Sequence, residues 1–241
     1  MPEGSQGKFR ISEVWVQLQY SPGQTYVNSK QKRAAVNHDA PVFKLKHTIG
    51  IKGFMGGQYN YNVTEASIYY RQWLKSWGKL DINVKGGLQW NQGPFPLLIA
   101  PAANVSYIWQ RETFELINNM EFLNDRYASV LMEWDLNGKL FNRIPLLKRL
   151  QWRELIGFNV LWGGLSDKNN PFLDLNKNND RLMVFPTGVA LMNPHEPYME
   201  FRLGIHNILK MLSIEYVHRI NYHELPTATK NGVRFGFRFT F

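Results

Sequence analysis

The chain has 241 residues, of which 44% are apolar and 14% aromatic, and its formal net charge is +9. Because it contains no cysteine, disulfides, thiolate metal sites and a cysteine nucleophile are excluded. The positive charge is spread along the chain, apart from KQKR at 30–33, and no recognition-helix pattern or RNA-binding motif accompanies it. We therefore expect no nucleic-acid partner.

The aromatic content is high for a chain whose mean hydropathy is only −0.35. This combination favours alternating strands over buried helices. The longest nearly apolar run, at 95–105, is interrupted by two prolines and is shorter than the ~20 residues of a spanning helix. We predict no transmembrane helix. The start, MPEGSQGKFR, has no secretion-signal pattern, so we expect residues 1–10 to be a linker or the start of a fragment and 11–241 to form the domain.

Alternation of apolar and polar residues predicts four strands in the first half of the chain. In the third of them, for example, Ala66, Ile68 and Tyr70 alternate with Glu65 and Arg71. The four segments are VWVQLQY at 14–20, VFKLKHTIGI at 42–51, TEASIYYRQ at 64–72 and KLDINVKGGLQW at 79–90.

The second half continues the same pattern through five more segments. They are YASVLMEWDL at 127–136, WRELIGFNVLW at 152–162, YMEFRLGIH at 198–206, MLSIEYVHRI at 211–220 and NGVRFGFRFTF at 231–241. Their lengths, about 9 to 12 residues, suit tilted strands that cross a bilayer and exceed the ~5 to 6 typical of soluble sheets. The sequence predicts an all-β, antiparallel, up-and-down transmembrane β-barrel of which this chain supplies about nine strands.

The links between the predicted strands differ in length. Short ones such as 73–78 and 206–210 alternate with long ones at 91–126 and 163–196. In an antiparallel meander this alternation separates short turns from long loops, as in outer-membrane barrels. The link at 21–41 does not fit, because it is long on the side of the short turns; it is either a long turn or contains further strand.

The last predicted strand has an aromatic side with no chain after it to cover that side. Phe235, Phe237, Phe239 and Phe241 alternate with Arg234, Gly236, Arg238 and Thr240. A terminal Phe after alternating aromatic residues resembles the C-terminal recognition signal of Gram-negative outer-membrane barrels. The alternative is a soluble β-sandwich with a Phe-rich last strand.

Charged residues occupy the polar side of the predicted strands, where a barrel would have its lumen. They include Glu65, Arg71, Asp81, Lys85, Glu133, Asp135, Glu200, Arg202, Glu215, Arg219, Arg234 and Arg238. These side chains either line a pore, anchor a plug, or pair across neighbouring strands, and we favour pairing.

Two other candidate sites are weak. The segment DLNKNND at 174–180 resembles the opening of a calcium loop, but Asn179 replaces the required Gly and Phe185 stands where the closing Glu belongs. The six histidines make no recognisable pairing with a nucleophile. We expect no metal, no cofactor and no enzymatic activity.

Four stretches together resemble a family of outer-membrane proteins in which a carboxypeptidase-like regulatory domain precedes a C-terminal barrel. They are YSPGQTYV at 20–27, APVFKLKHTIGIKGFMGGQYNYN at 40–62, NNMEFLNDRYAS at 118–129 and FNRIPLLKRLQWRE at 141–154. The resemblance implies kinship with the sixteen-stranded surface-antigen barrels of outer-membrane assembly and secretion proteins. It also implies that the N-terminal strands of the barrel lie outside this chain.

In those barrels a long sixth loop folds into the lumen, and counting back from Phe241 places 91–126 at that position. The resemblance thus implies a sixth-loop region that includes Arg111, Phe114 and Arg126. ETFELINN at 112–119 replaces the Val-Arg-Gly-Tyr-like motif of the assembly and secretion proteins, and neither arginine lies in such a motif.

The resemblance implies an outer-membrane location, with membrane lipid, lipopolysaccharide, the rest of the barrel and, during biogenesis, the barrel assembly machinery as partners. We expect a structural or transport-related, non-catalytic role. The rival expectation is a machine that inserts or secretes client proteins.

Overall fold

The computed structural model describes residues 9–28, 30, 32–37, 39–177, 179 and 182–238. Within them the chain is all-β, apart from short 3₁₀ turns and one six-residue α-helix. In chain order the elements are β1 (Glu13–Tyr20), β2 (Tyr26–Asn28), β3 (Arg33–Ala35), β4 (Val42–Gly50), β5 (Tyr61–Trp73), β6 (Lys79–Gln89), β7 (Arg126–Asp135), α1 (Pro145–Leu150), β8 (Arg153–Gly164), β9 (Tyr198–Ile208), β10 (Leu212–Arg219) and β11 (Asn231–Phe237).

Nine of the described strands form one antiparallel sheet in the order β1-β4-β5-β6-β7-β8-β9-β10-β11. Each strand pairs with the next large strand along the chain, so the sheet is an up-and-down meander, while β2 and β3 form a separate small hairpin. The all-β, antiparallel prediction is confirmed. In the described residues the sheet is open, with β1 and β11 at its edges.

The sheet has an apolar face and a polar face, because side chains alternate along each strand and the register keeps like residues in line. The apolar face is represented, one residue per strand, by Leu18, Leu45, Ile68, Val84, Val130, Trp162, Leu203, Ile214 and Phe235. The polar face is represented in the same way by Gln17, Lys46, Glu65, Lys85, Glu133, Asn159, Arg202, Glu215 and Arg234.

The burial of the two faces is the reverse of that in a water-soluble protein. On the apolar face, Leu18 is 64% exposed and Phe235 51%. On the polar face, Glu200 and Arg219 are fully buried. Water-soluble sheets bury apolar side chains and expose charged ones, so this sheet has its charged side inward and its apolar side outward.

The sheet curls toward its polar face. Neighbouring strands lie about 4.8 Å apart, so β7 and β11 would be about 19 Å apart in a flat sheet. Glu133 Oε1 on β7 nevertheless lies only 2.5 Å from Arg238 Nη1, one residue beyond β11. The polar face is therefore concave.

The links fall into two groups at opposite ends of the sheet. The loop end carries 51–60, 90–125, 165–197 and 220–230, and the turn end carries 21–41, 74–78, 136–152 and 209–211. The discordant link 21–41 does contain further strand, the β2–β3 hairpin. A second long link at the turn end, 136–152, was not anticipated; it contains α1.

The two long loops at the loop end pack on each other and on the sheet. Phe114, Ile117 and Phe122 of the 90–125 loop form a buried cluster with Leu161 of β8 and Tyr198 of β9. Backbone bridging joins the loops where the Ala190 N–H donates to the Glu121 carbonyl over 2.7 Å. Among the described residues, the larger apolar cluster thus lies between the loops and the polar face.

The free edge of β11 is partly covered by the same loop. The Phe235 N–H donates to the Tyr107 carbonyl over 2.8 Å, and the Trp109 N–H donates to the Phe235 carbonyl over 2.6 Å. Both backbone groups of Phe235 on this edge are therefore satisfied from within the chain.

Candidate functional site

The polar face brings four charged side chains, three from different strands and one from just beyond β11, into one ring. Arg202 Nη1 on β9 donates to Glu215 Oε2 on β10 over 2.8 Å, and Arg202 Nη2 lies 3.4 Å from Glu133 Oε2 on β7. Arg238 completes the ring, 2.5 Å from Glu133 and 2.8 Å from Glu215. Each carboxylate meets two guanidinium groups, the arrangement that offsets the cost of burying charge.

A glycine makes this ring possible. In the register of β7, β8 and β9, Gly157 lies between Glu133 and Arg202. A Cβ at position 157 would lie 2.5 Å from Arg202 Nε. The missing side chain lets the arginine cross the middle strand and reach the acid on the far side.

The same arrangement recurs twice. Tyr61 reaches over Gly50 to the carboxylate of Glu13, and Tyr127 reaches over Gly87 to Glu65, where Tyr127 Oη lies 3.2 Å from Glu65 Oε1. A Cβ at Gly87 would lie 2.4 Å from the Tyr127 ring. These acid–glycine–donor rows connect strands that are not adjacent.

The 90–125 loop is held to the polar face by a buried carboxylate. Glu200 on β9 accepts hydrogen bonds from the backbone N–H of Glu115 (2.9 Å) and of Leu116 (3.1 Å). It also accepts from Asn159 Nδ2 (2.7 Å) and Tyr198 Oη (2.9 Å). A carboxylate with four donors is well stabilised, so Glu200 acts as a fixed dock for the loop backbone.

Glu115 of the loop faces Arg234 of β11. Its Oε2 accepts from Arg234 Nε over 3.1 Å and from Asn104 Nδ2 over 2.6 Å, while the Arg234 guanidinium also donates to the Glu115 carbonyl. Its Oε1 is buried with no partner among the described residues. Burial raises the pKa of the Glu115 carboxyl to about 7, against the opposing hydrogen bond from Asn104, and the charge of Glu200 adds to that rise.

A second ion pair holds the loop further along. Arg219 Nη2 on β10 donates to Glu121 Oε1 over 2.7 Å, and both side chains are fully buried. The Arg219 guanidinium also lies over the Tyr198 ring, 4.9 Å from its centroid. Breaking one partner of such a pair leaves an uncompensated buried charge, which costs about 3 to 5 kcal/mol.

The residues predicted for the sixth-loop region have different environments. Phe114 is buried and packs edge-on against Tyr198 at 5.8 Å between ring centroids. Arg111 is exposed beside a cavity of about 60 Å³ between the loop and the polar face. Arg126 is the exposed first residue of β7. The structure therefore does not bring the two arginines into one site.

Next to Arg111, the loop makes a further contact with the sheet through Glu112. Its Oε2 lies 2.5 Å from Lys85 Nζ on β6. Burial alone would raise the pKa of Glu112, but the hydrogen bond and charge of Lys85 hold it below its usual value. This contact adds β6 to the strands that hold the loop.

Nine of the polar-face charges expected from the sequence take part in these contacts, including Glu65, which meets Tyr127, and Lys85, which meets Glu112. Glu200, Arg219 and Arg234 hold the loop, whereas Arg202, Glu215 and Arg238 form the ring with Glu133. The loop acids Glu115 and Glu121 were missed, although charged residues inside the apolar stretch at 114–123 were a signal that this loop is buried.

The terminal aromatic residues lie partly outside the described residues. Phe235 and Phe237 are exposed on the apolar face of β11. Phe239 and Phe241, also proposed as part of the assembly signal, lie outside the described residues.

The described part of the chain contains no group of three or more His, Cys, Asp or Glu residues placed to hold a metal ion. None of its helices is both long and apolar enough to cross a membrane.

Comparison with known protein families gives a match. A protein-family model described as "Family of unknown function (DUF5686) C-terminal domain" matches residues 5–176, which is more than half of the chain. No curated protein matches the chain.

Proposed function

The chain belongs to the DUF5686 C-terminal domain family, a family of unknown function, and from that premise we propose that it is part of a β-barrel that spans the outer membrane. Its role in this proposal is structural or transport-related, without catalysis. The rest of the barrel is supplied by strands that lie outside the chain.

One observation carries the proposal: the sheet exposes its apolar face and buries its charged one. In water, the exposed side chains along nine strands would form an apolar surface far larger than monomeric soluble proteins tolerate. In a bilayer, the same face would contact acyl chains, and each large side chain would contribute roughly 1.5 to 3 kcal/mol on leaving water. The strand lengths and the antiparallel meander agree with this assignment.

Because the polar face is filled, we favour a structural role for the barrel and not the role of a wide, open pore. In this part of the proposed barrel the lumen is occupied by the 90–125 loop, held by Glu200, Arg219 and Arg234, and by the ring around Arg202. Transport through such a lumen would require the loop to leave its dock.

The test uses the full-length protein. After expression we expect it to fractionate with the outer membrane, to need detergent for extraction, to give a β-rich circular dichroism spectrum and to migrate faster unheated than boiled. A soluble periplasmic protein from the same cells is the fractionation control. Recovery of intact, folded protein in plain buffer would contradict the barrel proposal.

A second candidate function is insertion or secretion of client proteins. It is favoured by the docked 90–125 loop, which the resemblance given above aligns with the sixth loop of the assembly barrels. The segment 112–119 lacks the motif of those proteins, which counts against it. Depletion of the full-length protein followed by profiling of the outer membrane separates the two, because broad loss of other barrels would favour the second candidate.

A further inference from the structure

The two ends of the sheet carry opposite charge. The four links at the turn end contain nine lysines or arginines and one acidic residue, Asp39. The four links at the loop end contain six basic and nine acidic residues. The turn end is therefore strongly basic, which indicates an anionic partner at that end.

The link 136–152 concentrates this charge. It carries Lys139, Arg143, Lys148 and Arg149 and has no acidic residue. Within the described part of the chain, the last three make no ion pair, so their charge is not neutralised by the protein itself.

Large apolar side chains are interspersed with these basic residues in the sequence, and they are exposed. Leu140, Ile144, Leu146 and Leu150 are each nearly half exposed or more, and Leu146 is 67% exposed. The same mixture occurs in the shortest link, where exposed Leu209 and Met211 flank Lys210. Apolar and basic side chains together suit the boundary between acyl chains and headgroups.

An aromatic cleft adjoins this link. Trp77 and Trp134 lie 6.2 Å apart between ring centroids, and Lys139 Nζ lies 5.1 Å from the Trp77 centroid and 3.0 Å from Ser76 Oγ. Trp77 remains 44% exposed. Tryptophan with lysine is a typical pairing at the membrane interface, where the ring meets acyl chains and the ammonium group meets phosphate.

We propose that the turn end is a docking surface for anionic phospholipid headgroups. The surface consists of the 136–152 link with α1, the 209–211 link and the Trp77–Trp134 cleft. The basic side chains bind headgroup phosphates while the leucines and tryptophans enter the acyl boundary. That this surface lies at the boundary of the bilayer rests on the proposed function. The inference adds the class of lipid, anionic phospholipid, that this end of the barrel contacts.

Nucleic acid is another polyanion that basic surfaces bind. Single-stranded nucleic acid is held by a basic groove with aromatic platforms for bases, whereas this surface carries aliphatic side chains between its charges. The aliphatic content favours lipid, and an RNA oligonucleotide serves as a competitor in the test.

The experiment measures lipid selectivity around the full-length protein reconstituted in phosphatidylcholine vesicles. Spin-labelled phosphatidylglycerol and spin-labelled phosphatidylcholine are compared by the fraction that the protein immobilises. A variant with Lys139→Gln, Arg143→Gln, Lys148→Gln and Arg149→Gln is compared with a control that loses the same charge at the loop end. The control carries Lys52→Gln, Arg111→Gln, Lys177→Gln and Lys230→Gln.

We expect the unmodified protein and the control to prefer phosphatidylglycerol by at least about fivefold, since one basic residue at an anionic surface alone contributes about that factor. The turn-end variant should lose most of this preference. Raising the salt from about 0.05 M to about 0.5 M should also reduce it in the unmodified protein, a measurement that does not depend on the variant folding.

The outcomes separate this inference from the proposed function. Protein that resists carbonate extraction but shows no preference for phosphatidylglycerol would overturn the inference and leave the barrel proposal standing. Protein that binds vesicles containing phosphatidylglycerol but is released by carbonate would overturn the barrel proposal and leave surface binding standing. Displacement of the lipid by the RNA oligonucleotide at equal charge would show a general polyanion site and overturn the inference.

Discussion

Glu115 is the residue whose charge state most directly affects how the 90–125 loop is held. Its carboxyl has one well-bonded oxygen and one buried oxygen without a partner among the described residues, and the Glu200 carboxylate lies close by. Burial therefore favours the protonated form, and the pKa of Glu115 rises to about 7.

We predict that the loop loosens as the pH rises. Because the pKa in the docked state lies above the ordinary value, the stability that the proton contributes is full below about pH 4.5 and is lost as the pH rises through about 7. A nitroxide at Tyr107→Cys, a position that is 79% exposed in a chain without cysteine, should become more mobile between about pH 5 and pH 8.

The control is Glu115→Gln in the same labelled protein. Its amide does not titrate, so label mobility should stay constant over this pH range. A pH response of equal size in the Gln variant would assign the effect to another group.

The importance of the acid–glycine–donor rows can be tested by comparing a substitution at Gly87 with one at the neighbouring Gly86. In Gly87→Ala the new methyl would lie 2.4 Å from the Tyr127 ring and displace it from Glu65, so we expect a loss of about 1 to 3 kcal/mol in urea unfolding from detergent. Gly86 is the matched control, because its Cβ would meet no described atom closer than 3.4 Å. Equal destabilisation by Gly86→Ala would attribute the effect to strand propensity.

At the scale of elements, the last predicted strand carries both the lipid-facing aromatic residues and the assembly signal of the proposed barrel. We predict that Phe239→Ser with Phe241→Ser reduces membrane insertion far more than Thr240→Ser, which changes the residue between them and leaves the ion pairs of Arg238 intact. The reason is that large aromatic rings contribute roughly 1.5 to 3 kcal/mol each when buried in an apolar environment, and that in the proposed signal they also form the recognised pattern. The measurement is the heat-modifiable fraction in outer-membrane preparations at matched expression.

Both variants change residues within 239–241, so they share any general effect of altering that segment of the sequence. Insertion of the Phe variant at the level of the unmodified protein would show that the C-terminal pattern is not a signal.

At the scale of the whole molecule, the open edges of the sheet are the weak point. Most backbone groups on the outer edge of β1 have no strand beside them among the described residues, and β11 is covered mainly at Phe235. Unpaired edges are costly in lipid and adhesive in water. We predict that the 241-residue chain by itself aggregates or forms oligomers, which light scattering during size-exclusion chromatography measures. A stable monomer in dilute buffer would contradict this prediction.

The amino-acid sequence by itself determined the strands. Alternation predicted all nine strands of the main sheet to within a few residues, because a period of two depends only on local geometry and on which side of the strand meets an apolar environment. The α-helix in the 136–152 link was not predicted, because its short apolar run has no periodicity that distinguishes a turn from a helix. The sequence left further strand in the 21–41 link as one of two alternatives, because the strands of the β2–β3 hairpin are too short to show an alternation.

Only the tertiary structure decided which charges meet. That Glu133 reaches Arg238 depends on the curl of the sheet, and that Glu200 receives the backbone of Glu115 depends on how a long loop folds back over the polar face. These contacts join residues 85 and 105 positions apart in the chain. No local pattern encodes such a pairing, because its energy arises only when the concave face excludes water and each buried charge must find a partner.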